Sequence, residues 1–295
     1  MRLIRIHKIL ILTIAALFAS LFSINCFNSK ISTHARLNPG DRFICVLQNI
    51  GFKELKNTKF RIAVVDPDES KLTTDDLKDL HKEDKILLAY LSIGEAESYR
   101  DYWQDDWKVG SPNFIGIENP NWDGNFKVQY WNKEWQEIIF NKLNQIIDLG
   151  YDGVYLDVVD AYKYYENNGV NFAREKMIDF VRNISEKSKE KNNHFLILPQ
   201  NAEELVSYED YLSVIDGIGR EDLWYIDDNL QDEEELNTAL CHLQKIINAR
   251  KLVLVISYPA EKDNKCNFIK IARKHNFIPY VGKRELDTIE TVNCN

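Results

Sequence analysis

Two acidic residues at the ends of predicted strands could together carry acid–base chemistry. Asp157 directly follows residues 153–156, a short and largely apolar run that is typical of a strand buried in a parallel sheet. Glu221 lies just beyond a similar run at residues 214–218. Carboxylates at the carboxyl ends of such strands lie where parallel α/β folds build their active sites. Because two carboxylates at one rim can hydrolyse a glycosidic bond, this chemistry is our first hypothesis.

The two carboxyl groups would need different surroundings to play different roles. A nucleophile keeps a low pKa in a polar, hydrogen-bonded setting, whereas apolar neighbours raise the pKa of an acid. Residues 223–225, which are Leu, Trp and Tyr, follow Glu221 and could form an apolar wall beside it, and Arg220 would oppose their effect. We also expect Gly219, which has no side chain, to leave room for a substrate.

The elements that position these residues form an alternating pattern. Helical periodicity at residues 135–149, 172–189 and 233–249 separates apolar strands, and Gly150 is placed to end the first helix. The predicted strands are residues 43–50, 61–65, 85–93, 153–156, 195–198, 214–218, 252–256 and 277–281. Eight strands with intervening helices predict an α/β protein with a single (β/α)8 TIM barrel, and a doubly wound sheet is the alternative.

Polar residues follow most of the predicted strands. Since the carboxyl ends of parallel strands share one rim, these side chains should converge there. Any single one could instead cap the helix that follows. Beside Asp157 and Glu221 they are Asp66, Asp68, Glu95, Glu97, Asp160, Gln200, Asn201, Asp222, Tyr258 and Arg284.

One connection is unusually long and aromatic. About 35 residues, rich in Trp, Tyr, Asn and Gly, separate the third strand from the helix near Trp135, and loops of this length in compact domains are usually functional. Trp103, Trp107, Trp122 and Trp131 lie in this segment. Indole rings stack on sugar rings, or they pack a loop onto the barrel, and Trp135 is the strongest candidate for packing.

The N-terminus is typical of a targeting segment. Three basic residues precede an apolar run at residues 9–22, which is short for a membrane-spanning helix and fits an export signal. Cys26 follows, so we expect residues 1–26 to be a lipoprotein-type signal peptide with Cys26 lipidated, residues 27–40 a tether, and residues 41–295 the barrel. A soluble exported protein and a retained N-terminal anchor are the alternatives. Removal of the signal changes the formal net charge from −9 to −12, which argues against a nucleic-acid partner.

The remaining cysteines allow several arrangements. Cys45 lies within an apolar run and is expected to be an unpaired core residue, while Cys241, Cys266 and Cys294 leave one disulfide or none equally open. The sequence contains no metal-ligand spacing of Cys or His, no Walker motif, no complete dinucleotide-binding glycine motif and no serine-hydrolase elbow. We therefore expect no cofactor and no metal.

The chain resembles the TM1410-type glycoside hydrolases, which are related to the endo-α-1,4-polygalactosaminidases of glycoside hydrolase family 114. The similarity extends from about residue 43 to residue 290. The segments that carry it are LAYLSIGEAE (88–97), YR (99–100), YW (102–103), NPNW (119–122), YW (130–131), GVYLD (153–157), PQN (199–201), EDL (221–223), IPYV (278–281) and REL (284–286).

The resemblance implies a (β/α)8 barrel with a retaining mechanism. Asp157 matches the nucleophile and Glu221 the acid/base of the family. A retaining enzyme would hold these carboxyl groups about 5–5.5 Å apart, an inverting one about 6.5–9.5 Å. The residues expected to contact the sugar are Asp66, Tyr90, Glu95, Arg100, Trp103, Asp160, Gln200, Asn201, Tyr258 and Arg284.

These observations together predict an exported glycoside hydrolase. We expect it to be a monomer that cleaves an amino-sugar polysaccharide such as α-1,4-linked galactosamine and that touches a membrane only through a lipid anchor. The alternative is a non-catalytic surface lipoprotein that binds glycans through the Trp-rich loop, since a fold does not determine function. A barrel lyase or isomerase is a third hypothesis, and Lys283 would be its candidate base.

Overall fold

Parallel strands form the centre of the protein, whose computed structural model describes residues 37–294. Numbered in chain order, the strands are β1 (Phe43–Val46), β2 (Ile62–Val65), β3 (Ile86–Ser92), β4 (Glu95–Glu97), β5 (Ile115–Glu118), β6 (Asn125–Val128), β7 (Gly153–Asp157), β8 (Leu196–Pro199), β9 (Gly217–Glu221), β10 (Tyr225–Ile226), β11 (Asn229–Leu230), β12 (Leu252–Ser257) and β13 (Ile278–Val281). Eight of these, β1–β3, β7–β9, β12 and β13, correspond to the predicted strands and begin or end a few residues from the predicted bounds.

The eight strands are arranged in two parallel sheets. One has the order β1-β2-β3-β7-β8 and the other β13-β12-β9. A parallel bridge between Gln200 and Gly219 links β8 to β9. At the opposite edges, the rings of Phe43 in β1 and Tyr280 in β13 lie 5.9 Å apart. The α/β class with parallel strands is thus confirmed, while closure into a barrel stays a prediction.

Helices cover the sheets. They are α1 (Phe52–Asn57), α2 (Pro67–Ser70), α3 (Thr74–His81), α4 (Lys133–Leu149), α5 (Ala161–Asn167), α6 (Ala173–Lys191), α7 (Glu209–Val214), α8 (Glu233–Asn248) and α9 (Lys262–Lys274), with a 3₁₀ turn at Glu203–Ser207. The three helices predicted from periodicity correspond to α4, α6 and α8. In α4, the Asn132 side chain caps the first turn, and Gly150 ends the helix with a φ of 106°, a conformation that glycine adopts without strain.

The long connection between β3 and α4 is not simply a loop. Its strands β4, β6 and β5 form a small antiparallel sheet. Trp135 at the start of α4 is fully buried, as expected for a packing residue, and its indole N–H donates to the carbonyl of Ile93 at 2.9 Å. Trp122, in contrast, is 57 % exposed. The sheet therefore fixes the segment that follows β3.

Two cysteines are bonded to each other and two are free within residues 37–294. Cys266 in α9 is disulfide-bonded to Cys294. Cys45 is a buried free thiol, as expected, and Cys241 is an exposed one. Among the described residues, no helix is long and apolar enough to cross a membrane. The signal peptide, Cys26 and most of the tether lie outside the described residues.

Candidate active site

Asp157 is the last residue of β7, and two hydrogen bonds orient its carboxylate. The Tyr90 hydroxyl of β3 donates to Oδ2 at 2.7 Å, and the Val158 backbone N–H donates to Oδ1 at 2.8 Å. Burial raises the pKa of Asp157 to about 7, and the nearby charge of Glu221 acts in the same direction, whereas the Tyr90 hydrogen bond opposes it. The carboxyl group therefore titrates near neutral pH rather than near 4.

The backbone turns sharply immediately after Asp157. Val158 has a φ of 58°, in the left-handed region that β-branched residues rarely occupy. The same region is occupied directly after Glu221, by Asp222 with a φ of 51°, and just after β8, by Asn201 with a φ of 56°. Strained backbone is characteristic of functional sites, and here it bends the chain at three neighbouring strand ends.

Glu221, the last residue of β9, is held by side chains from two other strand ends. The Tyr258 hydroxyl and the Gln200 amide both donate to its carboxylate, and its own backbone N–H donates to Asn201 Oδ1 at 3.1 Å. Burial raises the pKa of Glu221, while these two side-chain donors act against the shift. A buried carboxyl group with a raised pKa can retain the proton that a general acid must supply.

The surroundings of Glu221 differ from the expected apolar wall. Leu223, Trp224 and Tyr225 are buried, but the Trp224 ring packs against Phe268 of α9, at 5.9 Å. The carboxylate is instead contacted by the polar groups of Gln200 and Tyr258, which directly follow β8 and β12. The apolar wall predicted from adjacency in the sequence is therefore wrong for Trp224.

The charges of Asp157 and Glu221 influence the pKa values of the same two buried groups. Burial raises the pKa of the Cys45 thiol in β1, and the charges of Glu221 and Asp157 raise it further. Burial likewise raises the pKa of the Tyr155 hydroxyl, and the charges of Cys45, Glu221 and Asp157 raise it further. Tyr155 of β7 also lies against Gly219 of β9, two residues before each carboxylate, so Asp157 and Glu221 lie at the same end of these parallel strands.

Gly219 serves the packing of the protein rather than making room for a substrate. A Cβ atom at this position would lie 1.9 Å from the Tyr155 hydroxyl oxygen, which is an impossible contact. Tyr155 is 1 % exposed, so its ring occupies the space that the glycine leaves. The expectation that Gly219 leaves room for a substrate is corrected accordingly.

Asp66 and Arg100 contact each other. The Arg100 guanidinium lies 2.7 Å from Asp66 Oδ2 and 2.7 Å from Glu97 Oε2, and it also bonds Asp68 at 3.1 Å. The Arg100 side chain is only 8 % exposed. Its donors are thus used by protein carboxylates, and contact of Asp66 or Arg100 with substrate stays a prediction.

The remaining predicted residues, Glu95, Trp103 and Asp160, lie on different segments of the chain. Buried Glu95 accepts from Asn119 at 3.0 Å and pairs with Lys127 at 3.3 Å. The Trp103 ring packs on Phe126 at 4.9 Å. Burial raises the pKa of Asp160, which follows Asp157 by three residues, and Lys163 acts against this.

Arg284 links three loops beyond the strand ends. Its guanidinium pairs with Asp222 at 3.0 Å and Asp227 at 2.9 Å, and it lies 4.5 Å from the centre of the Tyr258 ring. Because Tyr258 holds Glu221, Arg284 supports the acid/base candidate indirectly.

One buried carboxylate, Glu97, is among the polar strand-end residues named from the sequence but not among those expected to contact the sugar. Glu97 is 3 % exposed and accepts from Arg100 and from the Tyr99 hydroxyl at 2.8 Å, while the Tyr90 hydroxyl lies 3.5 Å from its Oε1. Its position two residues after Glu95 at a strand end was the available signal. Among residues 37–294, no group of three or more His, Cys, Asp or Glu side chains could hold a metal ion.

Two hydrogen-bonded carboxylates end strands β7 and β9 of this parallel α/β fold, with β8 between them, and such a pair of carboxyl groups is what glycoside hydrolysis uses. The sequence matches the family model described as glycoside-hydrolase family GH114 over residues 28–295. The chain therefore belongs to glycoside hydrolase family 114, and the resemblance noted in the sequence is confirmed.

Similar sequences occur in distant microorganisms. An uncharacterised protein of Methanocaldococcus jannaschii is 38 % identical over 266 residues, covering 83 % of this chain and 77 % of its own. An uncharacterised protein of Thermotoga maritima is 32 % identical over 291 residues, covering 93 % of this chain and 90 % of its own.

Two solved structures share the fold. The glycoside hydrolase domain of PelA from Pseudomonas aeruginosa superposes with a TM-score of 0.68 at 15 % identity, covering 84 % of this chain and 96 % of that domain. Aspergillus fumigatus Ega3 in complex with galactosamine superposes with a TM-score of 0.69 at 17 % identity, covering 89 % of this chain and 98 % of that one. At these identities the comparison establishes the fold.

Proposed function

We propose that this protein is an exported, retaining glycoside hydrolase that cleaves an amino-sugar polysaccharide within a closed (β/α)8 barrel. The observation that carries the proposal is the pair formed by Asp157 and Glu221. Each carboxylate ends a core strand, each is held by a tyrosine hydroxyl, and both have raised pKa values through burial. The low pKa expected of the nucleophile is not found at Asp157, so the family resemblance assigns the two roles. The pair supplies one nucleophile and one proton donor when Asp157 is ionised and Glu221 is protonated.

The proposed reaction proceeds in two displacements. Ionised Asp157 attacks the anomeric carbon while protonated Glu221 gives its proton to the leaving oxygen, which breaks the glycosidic bond. Glu221, now a carboxylate, takes a proton from water as the water oxygen bonds the same carbon, and Asp157 departs as a carboxylate. Because nucleophile and acid must be in opposite protonation states, activity should follow a bell-shaped pH profile.

The amino-sugar substrate is favoured by charge and by the relatives. The formal net charge of the chain is −9, and a negative surface attracts a polymer that carries free ammonium groups. The structure of Ega3 contains galactosamine. The proposed substrate is therefore a galactosamine-containing polysaccharide, with the sugar contacted by the predicted residues at the rim.

Export is supported by the N-terminal residues and by the cysteines. An apolar run precedes Cys26, as in lipoprotein signals, and the Cys266–Cys294 disulfide is of a kind that persists outside the cytosol. We propose that the protein is anchored to the cell envelope through lipidated Cys26.

The test is the release of reducing ends from defined polymers. Protein comprising residues 27–295 would be offered galactosamine polymer, its N-acetylated form, and neutral α- and β-glucans, and the first anomer formed would be identified by ¹H NMR. We expect release from galactosamine polymer with retained configuration. Asp157→Asn and Glu221→Gln should each lower kcat about 10²- to 10⁴-fold, because each removes a group that bonds or protonates the substrate.

Glu175→Gln is a matched control, since Glu175 is an exposed carboxylate in the first turn of α6. It should leave the rate unchanged. Inversion of configuration would reject the double displacement, and release only from neutral glucans would reject the substrate. Binding of polymer without release by any form would favour the glycan-binding alternative.

A further inference from the structure

The hydroxyl of Tyr90 lies between two carboxylates but can donate to only one. Asp157 Oδ2 is 2.7 Å away and Glu97 Oε1 is 3.5 Å away. A phenol has a single O–H, so the two oxygens compete for it. In the present state the shorter contact, to Asp157, is the hydrogen bond, because O–H···O hydrogen bonds have lengths of about 2.5–3.0 Å.

Glu97 is a suitable second acceptor because its surroundings keep it in place. It is 3 % exposed, and the Arg100 guanidinium bonds its Oε2 at 2.7 Å. The Tyr99 hydroxyl donates to Oε1 at 2.8 Å. The Arg100 guanidinium and the Tyr99 hydroxyl thus hold the Glu97 carboxyl group in one orientation. The Tyr90 ring is positioned as well, with the Arg100 guanidinium carbon 5.8 Å from its centre.

We propose that Tyr90 is a positioning residue whose O–H bonds Asp157 while that side chain is a carboxylate, and turns to Glu97 while Asp157 carries the sugar. This inference rests on the proposed double displacement. It gives Glu97 a part in the reaction without contact to the substrate.

The physical reason is the change in the acceptor strength of Asp157. In the first displacement, the bond from Asp157 to the anomeric carbon forms, the glycosidic bond breaks, and the proton of Glu221 goes to the leaving oxygen. Asp157 is then a neutral ester, which accepts hydrogen bonds less strongly than a carboxylate. Glu97 keeps its ion pair with Arg100 throughout, so the Tyr90 O–H gains by rotating toward it.

The second displacement reverses the rotation. The water oxygen bonds the anomeric carbon, the water proton goes to Glu221, and Asp157 departs with its electron pair. Tyr90 then donates again to the departing carboxylate and stabilises it. No proton leaves Tyr90 at any step, because only the direction of its O–H changes.

The rotation can be measured without a substrate. Asp157→Asn replaces the carboxylate with a neutral acceptor and so imitates the ester. The ¹³C carboxyl resonance of Glu97 would be compared in the parent, Asp157→Asn, Tyr90→Phe and the double variant. We expect Asp157→Asn to shift the resonance when Tyr90 is present and to leave it unmoved in the Tyr90→Phe background.

Tyr99→Phe is the matched control. It removes a hydroxyl that bonds Glu97 but that does not contact Asp157, and it should shift the Glu97 resonance in every background. An Asp157→Asn shift of the same size with and without Tyr90, or no shift where Tyr99→Phe produces one, would overturn the rotation. Neither outcome depends on whether the parent cleaves any polymer, so failure here is separate from failure of the proposed function.

Kinetics provide the second readout on the substrate that the parent cleaves. Tyr90→Phe should slow release of the covalent intermediate about 10- to 100-fold, as expected for the loss of a hydrogen bond to a charged group. Intermediate should then accumulate and be visible by mass spectrometry of quenched protein. The acid limb of kcat/KM should also move up by about one pH unit, because Asp157 loses a donor that favours its charge.

The other groups that face Asp157 are the same in the parent and the Tyr99→Phe control. They are Glu221, Asp160, Cys45 and Tyr155. The Tyr99→Phe variant keeps the Tyr90 donor to Asp157, so it should move the acid limb less than Tyr90→Phe does and accumulate less intermediate. Equal behaviour of the Tyr90→Phe and Tyr99→Phe variants would show that Tyr90 has only a structural role.

Discussion

Asp157 is placed where its charge is disfavoured. Burial raises its pKa to about 7, from an ordinary value of 3.8, even though Tyr90 and Val158 both donate to it. Since the folded state binds the proton more tightly than the unfolded state, this group stabilises the fold fully only below about pH 4. That contribution is lost as the pH rises toward and through about 7. A nucleophile must be ionised, so function here works against stability.

Replacement of Asp157 should therefore stabilise the folded protein at alkaline pH. Asp157→Asn removes the charge while conserving the shape of the side chain. The free energy of unfolding at pH 8 should then rise by about 1–3 kcal/mol. This is less than the change in the pKa of Asp157 alone implies, because the side chain is partly exposed. At pH 4 the difference should vanish. Urea unfolding at both pH values measures this.

Exposed Asp148 supplies the comparison, since its side chain is 72 % exposed. Asp148→Asn should change stability little at either pH. A gain in stability for Asp157→Asn that is as large at pH 4 as at pH 8 would contradict the electrostatic origin.

At the scale of elements, strands β7 and β9 fit together through one glycine and one tyrosine. The Tyr155 ring of β7 occupies the space above Gly219 of β9, and its hydroxyl has no hydrogen-bond partner among the described residues. Asp157 and Glu221 lie two residues beyond these positions. The packing of Tyr155 on Gly219 therefore sets how the two strand ends lie relative to each other.

A methyl group at Gly219 should disturb both stability and activity. Gly219→Ala places Cβ 1.9 Å from the Tyr155 hydroxyl oxygen, which should cost about 2–3 kcal/mol of unfolding free energy because the strands must separate. Thermal unfolding followed by circular dichroism measures the loss, and polymer cleavage reports the displacement of Glu221.

Gly51→Ala is the control, because a Cβ there would meet only Glu54 Oε2 at an ordinary 3.4 Å. It should lower stability by less than about 1 kcal/mol, because alanine is only a poorer N-cap than glycine. Equal stability of the Gly219→Ala and Gly51→Ala proteins would mean that Tyr155 can move aside freely.

At the scale of the whole molecule, the C-terminal residues are attached to the last helix by a disulfide. Cys266 and Cys294 are 28 residues apart in sequence. Closing a loop of this length stabilises a folded protein by about 3.5 kcal/mol when the unfolded chain is otherwise free. The bond would form only in an oxidising compartment, so it is linked to the proposed export.

Full-length protein expressed in a bacterial host should therefore carry two modifications that a cytosolic form lacks. Peptide mass spectrometry should find Cys266 linked to Cys294 and a diacylglycerol mass on Cys26. Protein that begins at residue 27 and is made in the cytosol should have all cysteines reduced. Exposed Cys241 serves as the internal control, because it should remain a free thiol in both forms.

Free Cys266 and Cys294 thiols together with unmodified Cys26 in the full-length protein would contradict export. Lipidation without the disulfide would preserve the anchor and reject the structural role of the bond.

Patterns within short stretches of sequence were enough to predict the elements. Apolar runs and helical periodicity identified the core strands and the helices α4, α6 and α8, since these signals depend on neighbours a few residues away. The positions of Asp157 and Glu221 at strand ends followed from the same runs. The antiparallel sheet β4-β6-β5 was missed, because its strands are short and lie among turn-forming residues.

The sequence by itself thus determined the class of fold, the place of both carboxylates and the likeness to a hydrolase family. Only the tertiary structure decided which side chains surround them. Tyr90 reaches Asp157 from β3, Tyr258 and Gln200 reach Glu221 from β12 and β8, and Gly219 accommodates Tyr155. These contacts join residues up to 67 positions apart. They depend on strand order and register, which local periodicity does not encode.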